Sequence, residues 1–199
     1  MRIAPTGSKH ENGDSEMEIE TSRLLLRSWT ESDSEAFAKI NSDSTVMRYF
    51  PSVYSRDRSD EMMQLCNTEM ERFGFSFWAL ERKDTGALIG LTGLHNFDAE
   101  LQFCPCVEIG WRLARSQWGK GFATEAARES LMLGFSEFKI ESIYAFTTLE
   151  NMPSRAVMSK IGMVDTGDNF KHPNVPAESG LQDHCLYKIT KTEWLKNSC

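Results

Sequence analysis

"WGKGFATEA", residues 118–126, sets two glycines one residue apart directly before a run that reads as helix. Such a turn is suited to an anion. The first N–H groups of a helix lack partners within it and sit at the positive end of its dipole, and glycine lets the main chain come close to a ligand. Two nucleotide motifs fail at this site. A triphosphate loop ends in Gly-Lys-Ser/Thr, whereas Lys120 is followed by Gly121. A dinucleotide fingerprint needs a third glycine where Thr124 stands, and the preceding strand is not the first of a βαβ unit.

Working outward, "CVEIGWRL" (106–113) alternates as a strand should, with Cys106, Glu108, Gly110 and Arg112 on one face and Val107, Ile109, Trp111 and Leu113 on the other. The apolar set predicts core. After the turn, Phe122, Ala123, Ala126, Ala127, Ser130, Leu131, Gly134, Phe135 and Phe138 recur at helical spacing, forming one packed face of small and aromatic groups. Downstream, "ESIYAFTTL" (141–149) reads as a strand. "NMPSRAVMSKIGM" (151–163) reads as an Asn-capped helix stopped by Gly162. Upstream come a strand in "RLLLRSW" (23–29), a helix from Thr30 through Ile40, a helix over Arg56–Phe73 ended by Gly74, and a hairpin of "FSFWALERK" (75–83) with "ALIGLTGLHN" (87–96). "MVDTGDNF" (163–170) and "HCLYKIT" (184–190) add two strands, separated by a loop with His172, Pro173 and Pro176. The order β-α-α-β-β-β-α-β-α-β-β carries no repeat and predicts one α/β or α+β domain with a mixed sheet.

The 199 residues, 40% hydrophobic and 26% charged, suit a single globular domain. A net charge of −7 argues against a nucleic-acid binder with a broad basic face and suits cationic partners such as amines. Five cysteines and no secretory leader predict free thiols in the cytoplasm, and no apolar run is long enough for a membrane span. Cys104-Pro105-Cys106 lacks the second Cys or His pair of a metal site, so no metal is expected. Residues 1–16 are polar and without period, which predicts a mobile tail ahead of a domain over 17–199, with Met17 as a plausible natural start.

"VEIGWRLARSQWGKGFATEA" (107–126), followed by "NMPSRAVMSKIGM", opened by "ETSRLLLRSW" (20–29) and closed by "HPNVP" and "HCLY", resembles the GNAT acyltransferase superfamily, specifically its RimJ/RimL-like branch. The resemblance implies a twisted, mostly antiparallel sheet of about seven strands with about four helices, two central strands splaying into a V. It implies acetyl-CoA as cosubstrate and a primary amine as acceptor, with a peptide or protein α-amino terminus favoured. A small amine, such as a polyamine, an amino acid or an antibiotic, is the alternative, and a non-catalytic acyl-CoA sensor is another. Either a monomer or a homodimer would serve.

The family's pyrophosphate loop maps onto Trp118, Gly119, Lys120, Gly121, Phe122 and Ala123, with Trp118 standing where relatives carry Arg or Gln. By resemblance the main chain from 119 to 124 holds the pyrophosphate, so Gly119, Lys120, Gly121, Ala123 and Thr124 are expected cofactor contacts. Ile109 and Trp111 are expected to pair with pantetheine, Asn151 to touch it, and Arg112, Arg115 and Lys120 to lie near the polyanion.

Acetyl transfer from a thioester needs a neutral amine, an oxyanion donor and a proton for the thiolate. Deprotonating a lysine amine at neutral pH costs about 4 kcal/mol, an α-amino group under about 1.5 kcal/mol. Glu108, on the polar face of its strand, is the candidate base, acting through water. Relatives carry Tyr seven residues after the helix-start Asn as proton donor, but Met158 stands there and cannot donate. Ser154 is the remaining hydroxyl of that first turn and the candidate donor. His95, His172 and His184 have no spacing that groups them and are expected in loop or packing roles.

Overall fold

The computed structural model describes residues 18–197, so the expected tail over 1–16 and Met17 lie outside the described range. One sheet organises the chain. Its strands are β1 (Ile19–Glu20), β2 (Leu24–Arg27), β3 (Phe77–Arg82), β4 (Ala87–Phe97), β5 (Cys106–Leu113), β6 (Ser142–Thr148), β7 (Val164–Asp165), β8 (Phe170–Lys171) and β9 (Asp183–Thr190). Their order is β1-β2-β3-β4-β5-β6-β9-β7, with β8 also on β9. All neighbours are antiparallel except β5 and β6.

Helices α1 (Ser34–Ser42) and α2 (Arg56–Phe73) cover one face of the sheet, and α3 (Phe122–Ser136) packs on the other. The alternation of β5 decides which residues go where. Ile109 and Leu113 enter the main core with Leu94, Ala126, Leu131 and Ile143, while Val107 and Trp111 pack at its margin. Burying one such aliphatic side chain fully contributes about 1.5–3 kcal/mol. On the other face Trp29, Phe37, Met63, Cys66, Ala79 and Leu91 form a second cluster beneath α1 and α2. Local signals set the helix limits: Ser55 accepts from the N–H of Arg58 to start α2, and Gly74 ends it at φ 83°. Helix α4 (Met152–Lys160) starts at Asn151, whose side chain accepts from Ser154 N–H.

Among the described residues there are nine strands and five helices where about seven and four were expected. The run 163–170 is not one strand. Asp165 takes the N–H of Gly167 at 3.0 Å and the Thr166 hydroxyl takes that of Asp168 at 3.1 Å, turning the chain between β7 and β8. The extra helix, α5 (Lys191–Asn197), grows from a reciprocal cap. Thr190 N–H donates to Glu193 Oε2 at 2.8 Å, and Glu193 N–H donates to Thr190 Oγ1 at 3.3 Å.

Candidate active site

Strands β5 and β6 pair at only two positions, Val107 with Ile143 and Glu108 with Tyr144, and then part. Beyond that point the main chain of Ile109 and Trp111 has no β6 partner, while their side chains stay anchored in or against the core. Unpaired strand edge is a ready hydrogen-bonding surface for an extended ligand. At the same C-terminal end of β5, the chain turns through Gly119 (φ 73°) and Gly121 (φ 82°) into α3. Left-handed backbone at both positions is why two glycines stand there. Gly121 caps α3 without a side chain, so no described side chain occupies its first N–H groups. Lys120 is exposed, Ala123 packs against the core and Thr124 is half-buried. Trp118 is 41% exposed and spends its indole N–H on the Leu113 carbonyl at 2.8 Å.

A neighbour that sequence reasoning missed steadies this turn. Arg23 Nη1 donates to the Lys120 carbonyl at 2.9 Å, and its Nε donates to Glu125 Oε2 at 2.6 Å. Glu125 Oε1 also receives the hydroxyls of Thr21 and Ser22 and the main-chain N–H of Arg23. Burial works to raise the Glu125 pKa, but these hydrogen bonds outweigh it and hold the carboxyl below its usual range.

Arg112 is not near the turn. The alternation that placed it opposite the core face turns it under α1 and α2, where it is buried and donates to Asn41 Oδ1 at 2.7 Å. Its guanidinium lies over the rings of Phe50 and Tyr54, 4.4 and 5.1 Å from their centroids. The polar face of β5 is therefore covered, and the expectation of Arg112 beside a polyanion gives way to a buried cation held by aromatic faces. Arg115 remains exposed.

Glu108 sits at the last paired position, where the two strands separate. Directly across β4, His95 Nδ1 approaches Glu108 Oε1 to 3.2 Å, off the line of a formal hydrogen bond, and His95 Nε2 lies 3.3 Å from Glu69 Oε1 of α2. His95 also stacks on Phe77 at 5.4 Å and 15°. Burial works to lower the His95 pKa, but the two carboxylates outweigh it and raise the value above the ordinary one. His95 thus lies on β4, its ring packed on Phe77 and facing two carboxylates, and His172 and His184 do group, with ring centroids 4.9 Å apart. Both of the latter are held below the usual histidine value by burial, His172 to about 4.

At α4, Asn151 Nδ2 donates to Thr147 Oγ1 at 2.8 Å while its Oδ1 caps the helix. Ser154 is half-buried, and among the described residues its hydroxyl meets no hydrogen-bond partner. Met158, where the resemblance implies a tyrosine, is 2% exposed and belongs to the core. Among the described residues no cluster of His, Cys, Asp or Glu is placed to hold a metal ion, and no helix is long and apolar enough to cross a membrane.

A sheet opened at two central strands, a glycine turn into an uncapped helix and a carboxylate at the parting thus lie together along β5 and the turn that follows it. Residues 23–164 match the family described as the acetyltransferase (GNAT) domain, and the chain belongs to that family of N-acetyltransferases. It is 32% identical over 180 residues to an uncharacterized N-acetyltransferase, YnaD, of Bacillus subtilis, covering 89% of this chain and 99% of that one. Among solved structures the fold is shared with spermidine N-acetyltransferase from Vibrio cholerae in complex with CoA and spermine. That match has TM-score 0.68 and 22% identity over 88% of this chain and 99% of the other. The fold is shared too with RimL, a ribosomal L7/L12 α-N-protein acetyltransferase in complex with CoA, at TM-score 0.71 and 16% identity over 87% and 98%.

Proposed function

We propose that this chain transfers the acetyl group of acetyl-CoA to a primary amine, the favoured acceptor being the α-amino terminus of a peptide or protein. One observation carries the reading: Glu108 occupies the point where β5 and β6 part, between an unpaired strand edge on one side and the α1/α2 face on the other. The edge of Ile109 and Trp111 suits pantetheine, and the turn over 119–124 suits pyrophosphate. Asn151, at the start of α4, is assigned to the same opening by resemblance.

Glu108 takes a proton from the ammonium through water, and the freed lone pair attacks the thioester carbonyl. The C–S bond breaks, the nitrogen gives up its second proton as the amide forms, and the departing thiolate receives a proton through Ser154, the candidate relay, whose hydroxyl is restored by the proton the nitrogen releases. With a thiol pKa near 8.5 the thiolate is a tolerable leaving group even unassisted. The α-amino preference rests on the branch resemblance and on the lower cost of neutralising that amine. A polyamine is the rival acceptor, favoured by the two carboxylates, Glu69 and Glu108, that meet His95. Four free thiols among the described residues, Cys66, Cys104, Cys106 and Cys185, fit a cytoplasmic setting.

A mass-shift screen with acetyl-CoA against Ala- and Ser-initiated peptides and a polyamine panel tests this. The expected product is a peptide acetylated at its terminus. Glu108→Gln should lower kcat/KM about a hundredfold below the amine's own pKa and progressively less above it, since a neutral amine needs no base. Ser154→Ala should lower kcat without that trend. Tight CoA binding with no amine turned over would leave an acyl-CoA sensor instead.

A further inference from the structure

We propose that His95 is a positioning residue for Glu108: held between Glu108 and Glu69, its imidazolium keeps Glu108 charged and aimed at the parting of the strands. The inference deepens the proposed function and rests on Glu108 as its base. Two carboxylates that share one small site repel each other, and a cation between them relieves that repulsion. The structure places the His95 ring between the two. His95 Nδ1 is 3.2 Å from Glu108 and Nε2 is 3.3 Å from Glu69, with side-chain exposures of 17% for Glu108, 18% for Glu69 and 24% for His95.

Each member is fixed by a different element. Glu108 and His95 are cross-strand partners of β5 and β4, so the pair is set by sheet register. Glu69 comes from α2 and is anchored by the Ser76 hydroxyl at 2.5 Å. Phe77 of β3 stacks on the imidazole, and it has room because position 110 is glycine: a Cβ there would lie 2.9 Å from Phe77 Cε1. The raised pKa of His95 agrees with a cationic ring.

The other titratable groups around the cluster leave its charge unchanged. On α2, burial pushes the Cys66 thiol up to about 11, and on β5 burial pushes the Cys106 thiol up, so both stay neutral at working pH. Tyr144 of β6 is the register partner of Glu108. Arg112, further along β5, is a fixed cation engaged by Asn41. With two acidic side chains to one imidazole, the cluster offers an acidic surround to an incoming ammonium.

Two measurements test the assignment, and the first needs no acceptor. NMR titration of the His95 ring in the full chain should place its pKa above 6.5, with Glu69→Gln and Glu108→Gln each lowering it. A wild-type ring that titrates at or below 6.5 overturns the proposal. The second is the pH profile of kcat/KM on a confirmed amine. His95→Gln should move the acid limb to higher pH by about one unit, a tenfold loss at fixed pH on that limb, with kcat at high pH and CoA affinity nearly kept. An unmoved limb overturns the proposal, and if His95→Gln does not fold, the titrations of wild type and Glu69→Gln decide alone. A raised ring pKa beside a Glu108→Gln variant that acetylates amines at the wild-type rate would sink Glu108 as the base while the clamp itself stands.

Discussion

Gly121 has φ 82°, and a Cβ built on it would lie 3.4 Å from Arg23 Nη2, whereas one on Gly119 at φ 73° would meet nothing within 4 Å. The two glycines therefore do different work. Left-handed backbone costs an L-residue about 1–2 kcal/mol, so either substitution strains the turn. At Gly121 the side chain would also come into contact with the guanidinium that holds the Lys120 carbonyl. Gly121→Val should lower stability by about 1–2 kcal/mol and weaken CoA binding at least tenfold, which calorimetry and thermal melts check together. Intact affinity in a folded variant would remove the anion role from this turn. At this scale the sequence was most readable where backbone conformation dictates residue type, as at these glycines. It was least readable where a side chain's neighbour is distant in the chain. Nothing in the spacing of Glu69, His95 and Glu108 announces that they meet, because their contact follows from a helix packing on a sheet and from the β4–β5 register.

Helix α3 shows how one element can be legible along its length and opaque at its ends. Its apolar periodicity predicted the buried face, and Ala126, Ala127 and Leu131 are fully buried. Its first turn is tied to the start of β2 by Glu125, which gathers Thr21, Ser22 and Arg23, a contact between segments about a hundred residues apart. Glu125→Ala leaves these donors without their carboxylate; Thr21 is partly buried and the rest are exposed to water, so the cost should be about 1 kcal/mol. Melting should show a drop of about 2–4 °C for each kcal/mol, and an unchanged melting temperature would mean that water replaces the carboxylate without loss. Other element limits were available but unread. "TKTE" (190–193) is a capping box that starts α5, and the short side chains of Asp165 and Thr166 break the run 163–170 into two strands. Arg112 misled for a different reason: alternation gave its face correctly, but that face is also buried, so polarity on it did not mean access to a ligand.

At the scale of the fold, the three histidines among the described residues titrate in opposite senses, which makes stability depend on pH in a way no single one would give. His172 and His184 lie in an aromatic nest, with Phe97 and Phe146 each 5.6 Å from the His172 ring and Phe170 5.8 Å from the His184 ring. Burial disfavours their charged forms, so the folded chain refuses protons that the unfolded chain accepts. Above the unfolded value near 6.5 both states are neutral and nothing is lost. As pH falls from 6.5 towards about 4, where His172 at last titrates in the fold, the unfolded state gains protons first and stability declines. His95 runs the other way: its pKa is raised in the fold, so its contribution is complete below 6.5 and is lost as pH rises through the folded value. Stability should therefore be greatest near neutrality, falling on the acid side through the His172–His184 pair and more gently on the alkaline side through His95. His172→Phe keeps an aromatic ring against Phe97 and Phe146 but cannot be protonated, so it should flatten the acid slope between pH 6.5 and 4 and leave the alkaline slope as it is. Denaturant midpoints measured across that range for both proteins decide the matter. An acid slope equally steep in the variant would assign it to groups other than this histidine, and carboxylates held below their usual range, such as Glu125, would be the next to replace.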